Sequence, residues 1–258
     1  LIWRHILPKM PKKIRCVAPD LLGMGRSKLR SPGSLDDYTL AKHIDWIEQF
    51  LLQQPQQSWT IVMHGWGSVI GSDIARRFPN RLQGLAYFES HLRPIVEPDM
   101  LSLPMHELSY MLQNTESLEA SILDDNVLIE HWLPQLMIES VSDEVMALYE
   151  QPFKDRQDRS VLMQYLFEVP LGHRHTSVVD RIAAYATFLQ QSPVPKCLMY
   201  GMPGMLTTMD AVQWAKDYLP NLTIKDLGEA HHFAQETCPD RFSEHLLNWL
   251  YLLPNVLD

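Results

Sequence analysis

The sequence predicts an α/β fold with a mostly parallel central sheet flanked by helices, and three observations point there. β-rich runs and amphipathic stretches alternate near the start of the chain and again near its end, the order that crossover helices between parallel strands produce. The length of 258 residues, 46% apolar and 21% charged, suits one large α/β unit whose core needs no staples. The segment Ile61-Val62-Met63-His64-Gly65-Trp66-Gly67-Ser68 reads as a strand, a sharp turn and a helix in immediate succession, and its glycines permit a tight turn.

The elements follow in order. Ile14-Arg15-Cys16-Val17-Ala18-Pro19 is a strand candidate, followed by a glycine-containing loop from Asp20 to Ser27. Asp36 or Asp37 is placed to cap a helix running from about Tyr38 to Gln53, in which Leu40, Ile44, Ile47, Phe50 and Leu51 recur at helical spacing. Trp59 to Met63 is β-rich, and the helix after the turn carries Val69, Ile70, Ile74, Ala75 and Phe78 before Pro79-Asn80 closes it. Leu85-Ala86-Tyr87-Phe88 is the next strand. Residues 100 to 190 lack clear strands and read as several helices with a Met- and Leu-rich face. Strands return at Cys197–Tyr200 and Leu222–Leu227, and a final helix runs from about Asp240 to Leu252.

Composition excludes several classes. A formal net charge of −9 argues against a basic stripe for nucleic acid, and Lys9, Lys12, Lys13 and Arg15 read as a solvated face. No apolar run approaches the roughly 18 residues needed to span a bilayer. Cys16, Cys197 and Cys238 are odd in number and widely spaced, so neither a zinc site nor a disulfide framework is suggested. A reducing, cytoplasmic setting fits, with Cys16 and Cys197 expected to be buried in their strands. The sequence opens on Leu1 with no signal-peptide pattern.

Several motifs together carry a specific resemblance. They are His64-Gly65-Trp66-Gly67, Ala75-Arg76-Arg77-Phe78-Pro79, Ala18-Pro19-Asp20-Leu21-Leu22-Gly23-Met24-Gly25-Arg26-Ser27, Glu89 with Arg93-Pro94 behind it, Gln191 to Lys196 leading into Tyr200-Gly201, and His231-His232-Phe233-Ala234-Gln235-Glu236. Leu1-Ile2-Trp3-Arg4 with Pro8 adds to them. Across nearly the whole chain they resemble the haloalkane dehalogenase family of α/β-hydrolases. The resemblance implies a hydrolase core in residues 1–98 and 191–258, with a helical cap inserted at 99–190. It implies an aspartate at the strand–helix elbow that displaces halide and forms an ester, and a carboxylate-oriented histidine that activates water to hydrolyse it. No cofactor or metal is implied.

Position by position, His232 matches the base, with His231 a bystander. Glu89 matches the orienting carboxylate of one branch. Other branches place an aspartate after the Tyr200 strand, where this chain has Gly204; Asp210 is a fallback that reads better as a helix cap. Trp66 matches a halide-binding tryptophan. At the nucleophile position stands Gly65, which has no side chain to form an ester. Ser68 does not replace it, because Trp66 and Ile70 would then occupy the places an elbow reserves for small residues. The family also has earlier strands and a His-Gly-x-Pro loop supplying a second halide donor, and none of these precedes Leu1. The chain is therefore expected either to be a fragment or to close its strands up directly.

The implied substrate is a small hydrophobic molecule in a pocket between sheet and cap, with Met105, Leu108, Trp132, Leu133, Leu136 and Met137 as candidate lining or core residues. Hydrolytic C–halogen cleavage, impaired at Gly65, is the leading expectation. Phe88-Glu89-Ser90-His91-Leu92-Arg93-Pro94 and Leu101-Ser102-Leu103-Pro104 also look like the β-lactone decarboxylases of bacterial hydrocarbon biosynthesis. A non-catalytic ligand-binding relative is the third reading.

Overall fold

The structure is a computed structural model that describes residues 1–29, 34–171 and 176–254. Its centre is a four-stranded parallel sheet in the order β1 (Trp59–Gly65), β2 (Leu82–Ser90), β3 (Lys196–Met202), β4 (Leu222–Glu229). Parallel strands need crossovers, and each connection here contains a helix. The inner strands β2 and β3 are buried on both faces and are nearly continuous apolar runs, as a sheet covered on both sides requires.

Successive side chains of a strand face opposite ways, and the two faces build separate cores. Leu85, Tyr87 and Leu198 pack against α1 (Leu40–Leu52), α2 (Trp66–Arg77), α8 (Thr176–Gln191) and α9 (Met209–Tyr218). Ala86, Phe88, Cys197 and Met199 pack against α11 (Pro239–Leu250), together with Ile6 from the first turns of the chain. A third cluster belongs to a helical layer between β2 and α8: α3 (Leu103–Met111), α4 (Thr115–Glu119), α5 (Leu133–Gln135), α6 (Asp143–Glu150) and α7 (Ser160–Phe167), joined by π-helical turns at Ala120–Asp124 and Leu128–Trp132. A short α10 (Ala234–Thr237) follows β4.

Helix α8 joins the core of the sheet instead of this layer. Val178, Ile182, Tyr185 and Leu189 are buried beside α2, and Arg181 reaches the fully buried Asp73 of α2 at 3.2 Å.

Two local expectations are corrected. The run Ile14–Pro19 forms no strand, and Cys16 and Val17 are exposed. A strand exists through its ladder, and among the described residues β1 pairs with β2 alone. The strands thus do not close up directly, and the other edge of β1 carries no strand among the described residues. Helix α1 is capped by Thr39, whose side chain accepts from the Lys42 N–H, while Asp36 and Asp37 lie in a preceding 3-10 turn.

Candidate active site

The site lies where all four strands end. Gly65 closes β1, His91 follows β2, Met205 and Leu206 follow β3, and His232 follows β4. In open parallel sheets this end of the strands is where ligands bind.

Gly65 stands between β1 and α2 with φ +53° and ψ −128°, a conformation that L side chains rarely adopt. It is the strained elbow of an α/β-hydrolase turn, held here by the residue best able to adopt it. Ser68 pins the turn. Its hydroxyl donates to the Gly65 carbonyl at 2.7 Å and accepts from the His91 N–H at 3.0 Å. Ser68 is fully buried and engaged in this way, so the structure gives it a structural position.

Glu89 sits on an irregularity in the ladder. His64 pairs with Phe88 and Gly65 with Ser90, which leaves Glu89 between them with φ +45°. Bulges of this kind re-aim a side chain. The Glu89 carboxylate accepts backbone N–H bonds from Met205 and Leu206 at 2.9 Å and from Thr207 at 3.1 Å. Its Oε2 also lies 2.9 Å from Nδ1 of His232. Burial pushes this carboxyl up, but the hydrogen bonds from His232 and from the backbone outweigh it and leave the pKa below its ordinary value.

The place matched to an aspartate in other branches is closed. A Cβ on Gly204 would meet the Thr207 carbonyl at 2.4 Å and Oε1 of Glu89 at 2.8 Å. Asp210 makes no hydrogen bond to the pair among the described residues; it is mostly exposed and bridges to Arg93. It is not the cap of its helix either, because Thr208 takes that place by accepting from the Ala211 N–H. His231 makes no hydrogen bond or ring contact among the described residues.

With Nδ1 committed to Glu89, His232 turns its Nε2 toward Gly65. An ideal Cβ there would lie 3.6 Å from this nitrogen. His64, half-buried and stacked on Phe88, donates from Nε2 to the His232 carbonyl at 2.7 Å. Burial and the neighbouring His232 push the His64 imidazole down to about 3, so it is a neutral prop.

Above these groups lies a cavity of about 240 Å³. Met105, Leu108, Trp132, Leu133 and Leu136 line it, whereas Met137 is packed within the helical layer. Leu128, Ile129, Leu166, Val169, Leu206 and Phe233 complete an apolar wall, and Gly65, Trp66, His91 and His232 form its polar floor. Ser102 fastens the roof to the Glu89 loop by donating to the Met205 carbonyl at 2.6 Å. The structure thus brings Gly65, Trp66, Glu89 and His232 together.

The reading from sequence missed His91. It is nine-tenths buried, its ring lies 5.7 Å from that of Trp66, and its nitrogens have no hydrogen-bond partner among the described residues. Burial and the nearby His232 push its imidazole down to about 4. Its place two residues beyond Glu89, at the end of a strand, was the available signal. No cluster of His, Cys, Asp and Glu among the described residues could hold a metal ion.

This elbow, sheet and histidine–carboxylate pair define an α/β-hydrolase, and a family model for the alpha/beta hydrolase fold matches residues 1–124. A haloalkane dehalogenase of Sphingobium indicum is 33% identical over 242 residues, covering 93% of this chain and 80% of that protein. One from Mesorhizobium japonicum is 31% identical over 252 residues, covering 96% and 80%. The crystal structure of haloalkane dehalogenase DbeA from Bradyrhizobium elkani superposes with a TM-score of 0.89 at 28% identity, covering 96% of this chain and 84% of that one. The chain belongs to the haloalkane dehalogenase family. Among the described residues no helix is long and apolar enough to cross a membrane.

Proposed function

We propose that this protein is a hydrolase of small hydrophobic substrates of the haloalkane type, cleaving a carbon–halogen bond without an enzyme-borne nucleophile at position 65. The observation that carries the reading is the alignment of Glu89, His232 and Gly65 beneath the apolar cavity. Glu89 fixes the tautomer of His232 by accepting from Nδ1, so Nε2 is free to take a proton from water. Trp66 lines the same floor, and its indole N–H is the donor assigned to the leaving halide.

The route through an ester on residue 65 is closed, because a glycine offers no oxygen. The remaining machinery activates water, and turnover is expected to lie several orders of magnitude below that of an intact covalent site. Residues 99–190 supply the cap, their cavity-facing part ending near Val169, since α8 packs on the sheet. The unpaired cysteines suit a reducing, cytoplasmic setting.

Halide release from 1-bromobutane, measured for this chain and for Gly65→Asp, tests the proposal. Faster release by the aspartate variant than by the glycine chain is expected, short of the rate of an intact site. Release by neither sinks the carbon–halogen reading and favours a ligand-binding role or a β-lactone substrate. Fast release by the glycine chain shows that the nucleophile lies elsewhere.

A further inference from the structure

The floor of the cavity has room and donors that the water route does not use. Apart from its two chain neighbours, nothing among the described residues lies closer than 3.6 Å to the Cβ position of Gly65, and the nearest atoms, Nε2 and Cε1 of His232, belong to an imidazole. The space is bounded below by the first turn of the twelve-residue helix α2, whose leading N–H groups and dipole favour an anion. Ser68 does not compete for them, since its hydroxyl is directed to the Gly65 carbonyl. The second, independent observation is His91. It is nine-tenths buried and lines the same cavity, yet its ring has no hydrogen-bond partner among the described residues. With no partner in the protein, the ring faces the cavity it lines and can hydrogen-bond a ligand oxygen there.

Building on the hydrolase reading above, we infer that the space at Gly65 binds a small free monocarboxylate, of the size of formate or acetate, which serves as a diffusible nucleophile. The anion has the charge that the helix terminus favours, two oxygens for donors on either side, and little bulk beyond its carbon. Longer carboxylates must instead extend into the substrate cavity.

The chemistry balances with the carboxylate as a recycled co-reactant. A formate oxygen attacks the halogen-bearing carbon; the C–O bond forms as the C–X bond breaks, and its electron pair leaves with halide. The product is a free alkyl formate held in the cavity. Nε2 of His232 then takes a proton from water as the water oxygen adds to the formyl carbon, and the alkoxide leaves with a proton. Formate and the alcohol result, one proton per halide passes to solvent, and the net reaction is R–X plus water to R–OH, H⁺ and X⁻.

Two measurements test this. Titration of ¹³C-formate, followed by its NMR signal, is expected to show saturable binding to the chain. Binding is expected to disappear in Gly65→Asp, where a tethered carboxylate fills the space, and to weaken about tenfold in His91→Leu, the loss expected for one buried hydrogen bond. Absent binding, or binding undiminished in both variants, overturns the site. If Gly65→Asp fails to fold, undiminished binding in His91→Leu overturns it alone. Separately, formate is expected to raise halide release from 1-bromobutane about tenfold or more by holding a nucleophile beside its target. Binding without acceleration overturns the nucleophile role. Release by Gly65→Asp in formate-free buffer reports on the carbon–halogen reading by itself, so the two failures are distinguishable.

Discussion

The carboxylate of Glu89 and the vacant side-chain position of Gly65 face opposite nitrogens of one imidazole. Nδ1 of His232 lies 2.9 Å from Glu89 Oε2, and Nε2 lies 3.6 Å from the Cβ that Gly65 lacks. A proton acceptor therefore points at the place where a side chain would begin. Filling that place with Gly65→Asp forces a residue with a Cβ into φ +53°, at a cost of about 1–3 kcal/mol. Chemical denaturation of the two chains should show the aspartate variant less stable by this amount, and equal stability would mean that the elbow relaxes when a side chain is present.

Glu89→Gln removes the charge that orients and supports His232. In the Gly65→Asp background, turnover is expected to fall by about 10²–10⁴, the scale of such losses where a carboxylate sets a histidine's tautomer. Proton NMR of the folded variant should also lose the downfield signal of the Nδ1 proton. A retained signal with full turnover would remove Glu89 from the role.

Glu89 also makes stability depend on pH. Its pKa in the folded chain lies below the ordinary 4.5, so its contribution is present above that value and is lost as pH falls through the folded one. The melting temperature of the native chain should fall below about pH 4.5, and Glu89→Gln should flatten that part of the curve.

His64 and His91 act at higher pH. Their folded values, about 3 and about 4, lie below the ordinary 6.5, so the unfolded chain binds more protons between these limits. Stability should decline as pH drops from 6.5 toward 4, and His91→Leu should lessen the decline. A melting temperature independent of pH over this range in the native chain would show that both imidazoles are protonated in place.

Ser68→Ala leaves the buried His91 N–H without its acceptor and frees the Gly65 carbonyl. A loss of about 1–3 kcal/mol is expected, read from thermal or denaturant unfolding. A change within experimental error would show that the elbow holds without its pin.

The sheet was legible in the sequence because its strands are short β-rich runs separated by amphipathic helices, and Glu89, Trp66 and His232 stood out only because the motifs around them resemble those of the dehalogenase family. The Ile14–Pro19 run shows the limit. β-propensity expresses how a residue fits a pleated, half-buried surface, and here no neighbouring strand provides one. The reading of residues 100 to 190 as several helices does not show which surface each helix buries, and α8 packs on the sheet while its neighbours build the helical layer. The N–H groups of Met205, Leu206 and Thr207 that hold Glu89 were invisible because backbone donors carry no side-chain signature. His91 lies within the Phe88–Pro94 motif without a role of its own, and its place in the cavity exists only once the chain is folded.

The close approach of Gly204 to Glu89 bears on how such sites change during evolution. Oε1 of Glu89 lies 2.8 Å from where a Cβ at position 204 would sit, and the Thr207 carbonyl lies 2.4 Å away. The two family placements of the acid, after β2 and after β3, thus contend for one volume. A chain passing from one arrangement to the other has no intermediate with both acids in place around this backbone. It must cross a form with neither, or rebuild the loop after β3 as the acid moves, which makes the choice of strand a historical commitment that single substitutions do not readily reverse.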